Sequence, residues 1–123
     1  MGTALTGVVS DFLAAWQAHD VDQIMSFMAE DCVFHASTGE LPHGTTHHGR
    51  TAVREAFAAL LDRFPDASWS DLRHSAWQNR GLSEWVFSGT GPDGPVRVAG
   101  CDLLTFRDNL ILVKDTICKR ATW

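Results

Sequence analysis

In the stretch Val96-Arg97-Val98-Ala99-Gly100-Cys101-Asp102-Leu103-Leu104-Thr105-Phe106-Arg107 one carboxylate interrupts an otherwise apolar, strand-like run. An unpaired carboxylate buried there is strongly disfavoured or shifts its pKa, so Asp102 must be neutralised, hydrogen-bonded or solvated in a hollow. Facing an apolar pocket, with its pKa raised by burial, Asp102 is a neutral hydrogen-bond donor to a carbonyl, or a proton carrier near neutral pH. The structural alternative is an aspartate satisfied by a neighbouring strand or by an Arg or Lys. Glu84, between Ser83 and Trp85 on the preceding strand, is a candidate second carboxylate, because two paired acids can divide acid and base roles. An outward Glu84 at an interface or a solvated edge is the competing reading. Lys114 projects inward by alternation from Thr116 and Cys118 and can pair with Asp102 or Glu84; otherwise it is a surface lysine.

Six histidines raise the question of a metal or a base. In His43-Gly44-Thr45-Thr46-His47-His48 a loop with Gly and Thr does not supply the three fixed ligands that zinc catalysis wants, so no metal is assigned. A rim histidine, His47 or His48, suits a general base better, since its unperturbed pKa lies about 6.5. His48 is taken into the catalytic set with Asp102, Glu84 and Lys114. His35 should face away from the cavity, His74 is open to either face, and His19 ends the first helix, where the dipole favours it. Trp16, Trp69, Trp77, Trp85 and Trp123, with no tyrosine, imply aromatic walls whose default role is core or interface. No GxSxG, Walker loop, dinucleotide-binding glycine pattern or Cys-His nucleophile is present, and no cofactor is expected.

A chain of 123 residues, 45% hydrophobic, is the size of one domain, assigned to 1–123. A formal charge of -5 disfavours nucleic acid and anionic membrane surfaces, both of which need a basic face. No window approaches the roughly 20 apolar residues of a spanning helix. The start at Met1-Gly2-Thr3-Ala4-Leu5 lacks a secretory n-region, so the expected location is cytoplasmic. Cys32, Cys101 and Cys118 lack CxxC spacing and read as reduced, small core residues.

The apolar comb Leu5, Val8, Val9, Phe12, Leu13, Trp16 predicts an amphipathic helix. Asp20 and Gln23 form a capping box for a short second helix through Val21, Ile24, Met25 and Met28, stopping near Glu30-Asp31. Cys32 to Ala36 reads as a brief strand, and Ser37 to His48 as a loop. Val53, Phe57, Leu60, Leu61 and Phe64 mark a third helix, closed by Pro65. From Ala67 onward four strands follow, with turns at 78–81, 91–94 and 108–109. Helices first and strands afterwards give an α+β domain, the helices packed on one face of a curved antiparallel sheet. Apolar residues at both strand parities require cover for the outer sheet face, and a homodimer is expected there.

Phe12-Leu13-Ala14-Ala15-Trp16, then Ala29-Glu30-Asp31-Cys32-Val33-Phe34, then Gly49-Arg50-Thr51-Ala52-Val53, and finally Gly100 to Asp108, follow in an order that resembles the SnoaL-like branch of the nuclear transport factor 2-like superfamily. The resemblance covers nearly the whole chain. It implies three N-terminal helices packed in the concavity of a strongly curved antiparallel sheet, a cone-shaped α+β barrel around a deep apolar cavity. The fold hosts isomerases, epoxide hydrolases, cyclases, dehydratases and plain binding modules, so it does not settle function. Relative to ketosteroid isomerase, Asp102 falls at the protonated aspartic acid of the oxyanion hole, while Phe12 and Ala36 replace the tyrosine and the proton-shuttling aspartate. A steroid-isomerase mechanism is therefore disfavoured. The aspartate that limonene-epoxide-hydrolase-like and SnoaL-like cyclase enzymes carry on the final strand aligns with Thr116, leaving Asp115 one residue off and facing the other way.

The resulting expectation is a small apolar, carbonyl-bearing or polycyclic ligand in the cone, with Phe12, Trp16, Phe34, Trp85 and Thr116 contacting it. Cofactor-free isomerase, cyclase or dehydratase chemistry would have Asp102 polarising the substrate and Glu84, Lys114 or His48 moving the proton. The alternative is a non-catalytic ligand-binding or dimerisation module. A metal-dependent cupin-type barrel is a third possibility, opposed by the leading helices.

Overall fold

The computed structural model describes residues 2–119, with side chains from residue 5 onward; Trp123 lies outside them. Of three helices, α1 (Gly2–Gln17), α2 (Val21–Ser26) and α3 (Gly49–Arg63), α1 and α3 pack against one sheet and α2 packs against both of them. Its strands are β1 (Met28–His35), β2 (Thr46–His48), β3 (Ser68–Trp77), β4 (Arg80–Gly91), β5 (Gly94–Arg107) and β6 (Leu110–Cys118). The spatial order is β2-β1-β6-β5-β4-β3, so the curved sheet stays open at β2 and β3. This is the α+β cone expected from the sequence.

The helices form where their apolar stripes have something to cover. Val9, Phe12, Leu13 and Trp16 of α1 are buried, as are Val53, Phe57 and Leu61 of α3. The C-terminal end of α1 is fastened to β3 at two points: Gln17 exchanges two hydrogen bonds with the Trp69 backbone, at 2.5 and 2.9 Å, and His19 Nε2 lies 2.7 Å from the Ala67 carbonyl. His19 thus has a specific tertiary partner beyond the helix dipole. These ties hold Trp16 over the sheet.

Three local expectations are corrected. The second helix ends at Ser26, not near Glu30-Asp31, because Met28 pairs in parallel with Ile111 and Ile111 N–H donates to the Phe27 carbonyl. The helix-like spacing of Met28 also suits a buried strand position. Arg50, in the first turn of α3, donates to the Met25 and Met28 carbonyls at 2.9 and 2.7 Å and fixes that helix-to-strand junction. The strand expected at 32–36 therefore begins at Met28, and its pairing with β6 is parallel within an otherwise antiparallel sheet. The segment 37–48 is not wholly loop: Thr46–His48 pairs with Val33–His35 as β2.

Candidate functional site

Strand register brings the chemistry-bearing residues to the concave face. On β5, Asp102, Leu104 and Phe106 are buried while Cys101, Leu103 and Thr105 are partly exposed, so Asp102 faces the helices. Opposite it lie Ser83 on β4 and Thr116 on β6, and Ser83 in turn pairs with His74 on β3. His74, Ser83, Asp102 and Thr116 are thus one row across four strands. Lys114, two residues before Thr116, shares the face and pairs with Leu104 and with Phe34 of β1.

Asp102 is 3% exposed and Lys114 5%. Lys114 Nζ lies 3.0 Å from Asp102 Oδ1 and donates to Thr116 Oγ1 at 2.7 Å; Thr116 Oγ1 donates to Asp102 Oδ1 at 2.6 Å. Trp85 Nε1 donates to the other oxygen, Oδ2, at 3.2 Å. Every partner of the carboxylate is a donor. Asp102 is therefore an acceptor in an ion pair, the second of the two readings the sequence left open, and not the neutral acid that donates. The apolar half of the site is a set of rings around the ammonium: Phe34 at 4.6 Å, Trp16 at 5.3 Å and Phe57 at 5.4 Å from Nζ to centroid. Such cation–π contacts strengthen when water is excluded. Trp85 can reach Asp102 because Gly100 has no side chain: a Cβ there would come within 2.8 Å of the indole and 2.5 Å of the Ile117 carbonyl.

Other expected members separate from this cluster. Glu84 lies on the opposite face of β4, across from Cys101, while Ser83 occupies the place beside Asp102; the carboxylate pair does not form, since adjacent strand residues face opposite ways. His48 is exposed at the start of α3, whereas its neighbour His47 stacks on Phe34. Phe12 is fully buried against Phe27 and Trp16, and Asp115 pairs with Leu103 on the convex side. His35 faces away as expected, its Nδ1 2.9 Å from Thr46 Oγ1. An open depression, lined by His35, Glu40, His43, Thr46 and His48 among others, gathers three of the histidines outside the cone. Among the described residues no group of His, Cys, Asp and Glu is arranged to hold a metal ion. Burial pushes the Cys32 and Cys101 thiols up, away from the reactive thiolate.

Three buried polar atoms find no hydrogen-bond partner among the described residues: Trp16 Nε1, Ser83 Oγ and His74 Nδ1. Leaving such a group unsatisfied costs about 1–3 kcal/mol, so each is a place where a partner from outside the described residues would be stabilising. Ser83 and Phe57 were not singled out for the site from sequence. Ser83 was legible by parity: if Trp85 faces inward, Ser83 does too, and Glu84 cannot. Phe57 carried only a helical-face signal, which says core and nothing about a neighbouring ammonium.

A three-helix layer on a curved open sheet, with Ser83, Asp102 and Lys114 buried on the concave side, defines a nuclear transport factor 2-like cone. A family model for the SnoaL-like domain matches residues 9–113, and the chain belongs to that family. Among solved structures it is similar to an NTF2-like protein of unknown function from Mesorhizobium loti, at 23% identity and TM-score 0.80, covering 97% of this chain and 93% of that one. It is also similar to a "putative polyketide cyclase" from Xanthomonas campestris pv. campestris, at 22% identity and TM-score 0.79 over 92% and 88% of the two chains. A "putative isomerase" from Bacillus subtilis aligns at 16% identity and TM-score 0.76 over 92% and 84%. These identities establish shared fold alone. No curated protein matches the chain, and no helix among the described residues is long and apolar enough to cross a membrane.

Proposed function

We propose that this chain binds a small, flat, largely apolar carbonyl compound between its helices and the concave sheet face, and performs cofactor-free acid–base chemistry of the isomerase or cyclase type on it. The observation that carries the reading is the Asp102–Lys114–Thr116 cluster, buried under Trp16, Phe34 and Phe57 and flanked by unpartnered Ser83 and Trp16 donors. The cyclase and isomerase names among proteins of the same fold support it. In this reading the roles expected from sequence are redistributed. Asp102, whose Oδ2 accepts only from Trp85 among the described residues, takes a proton from the carbon beside the carbonyl, and Lys114 donates to the oxygen on which the electron pair settles. Glu84 and His48 have no part in it.

Exchange of the methyl protons of 2-acetonaphthone in deuterated water, followed by proton NMR, tests this chemistry. The protein is expected to accelerate exchange at least tenfold over buffer, and Asp102→Asn to abolish the acceleration. Binding without acceleration would refute turnover and favour the second reading, a non-catalytic ligand-binding module. That reading is favoured by Phe12 and Ala36, neither of which can donate or carry a proton.

The working unit proposed is a homodimer through the convex sheet face, where Trp77 and Ile117 are each about half exposed, at 49% and 50%. Sedimentation at micromolar concentration is expected to give twice the chain mass; a monomer contradicts the dimer.

A further inference from the structure

Ser83 is completely buried, and the concave row seats it directly between His74 and Asp102, with cross-strand neighbours on both sides. Residues facing each other in this way have Cβ atoms about 4.5–5.5 Å apart, yet Ser83 Oγ and His74 Nδ1 bond neither to each other nor to any other described residue. Resting on the reading of the concave face as a ligand site, we infer that Ser83 and His74 form a second polar subsite there, one that takes a hydroxyl group of the ligand.

The chemistry of the two side chains selects the group. A serine hydroxyl both donates and accepts. Burial holds the His74 imidazole below the ordinary histidine value, which favours the neutral ring with one donor and one acceptor nitrogen. A ligand hydroxyl also donates and accepts, so it can serve both at once. A carbonyl oxygen only accepts, so it can bond to both side chains only when the His74 proton sits on Nδ1, whereas a hydroxyl serves both in either tautomer. A ligand carboxylate would bring a second negative charge beside Asp102, whose own charge is already matched by Lys114. A ligand cation would compete with Lys114 for the same carboxylate. Two strand spacings separate the backbones carrying His74 and Asp102, about 10 Å along the sheet. That span fits a two-ring aromatic skeleton with an oxygen function at each end, a carbonyl toward Asp102 and Lys114 and a hydroxyl toward Ser83 and His74. The ligand class narrows accordingly from apolar carbonyl compounds to hydroxylated aromatic ketones.

Two probes that differ by one hydroxyl test this: 6-acetyl-2-naphthol and 2-acetonaphthone, titrated by calorimetry into the intact chain and into Ser83→Ala and His74→Phe. The intact chain is expected to bind the naphthol about tenfold more tightly than the ketone. The advantage should fall below threefold in each variant, while the Kd of 2-acetonaphthone stays unchanged. Ser83→Ala removes only an unpartnered buried hydroxyl and should keep or raise the melting temperature, which leaves the test standing if His74→Phe misfolds. Equal affinities in the intact chain, or a hydroxyl advantage that survives Ser83→Ala, would overturn the subsite and leave the wider ligand reading intact. Failure of both probes to bind at millimolar concentration would overturn the ligand reading itself, and the subsite with it.

Discussion

Lys114→Met is expected to lower stability by about 3–5 kcal/mol, the cost of leaving one partner of a buried ion pair uncompensated. Asp102 and Lys114 expose 4% and 7% of their side chains, so neither charge can be rescued by solvent without local unfolding. Methionine keeps the length of the stem and packs well against aromatic rings, which confines the loss mainly to the ammonium. By contrast, deleting the exposed pair of Arg54 and Asp22 should cost about 0–1 kcal/mol. The double variant Asp102→Leu/Lys114→Met should recover most of the single variant's loss, because replacing a buried pair by apolar groups is often close to neutral. Urea unfolding of the wild type, both single variants and the double variant gives the coupling directly. A double variant as unstable as the sum of the singles would show that the two charges do not stabilise one another.

Phe57→Ala is the second large effect, about 3–5 kcal/mol. Phe57 is 1% exposed, and its ring meets Trp16 at 4.8 Å and Phe34 at 5.0 Å. Its removal opens a cavity next to the ammonium and withdraws one of the three rings that surround it. Phe57→Leu restores most of the volume without the π face and should cost about 1–2 kcal/mol. The difference between the two variants in urea midpoints separates packing from the ring contact. A loss below about 1 kcal/mol for Phe57→Ala would mean that the site collapses freely and that the rings do not hold Lys114 in place.

The architecture was legible because each long element announces itself locally. The α1 comb and the long β-branched and aromatic runs bounded by turn residues are short-range signals. What failed was non-local. Met28 continues a helical spacing, and only its pairing with Ile111, distant in sequence, makes it the start of a strand. The β2 strand is three residues long and exists because β1 offers an edge to pair with. Within the site, alternation correctly turned Lys114 and Thr116 inward and Asp115 outward. The same rule applied from Trp85 would have excluded Glu84 and revealed Ser83. The ion-pair partner of Asp102 was among the alternatives read from sequence, but choosing between a free acid and a paired one needs the register of β5 against β6, which composition does not carry. His48 drew attention through its loop, and the loop delivers it, exposed, to the N-cap of α3, across from Val33 and not from the inward-facing Phe34.

The central claim is that the buried charge pair lies on the floor of a ligand site and does not merely hold the sheet to the helices. The most direct measurement is the Kd of 2-acetonaphthone, by quenching of tryptophan fluorescence, for the wild type and for Asp102→Leu/Lys114→Met after confirming that the double variant unfolds cooperatively. Binding at least tenfold weaker in the double variant is expected. Equal affinity in the two folded proteins would contradict it and reduce the pair to a structural element.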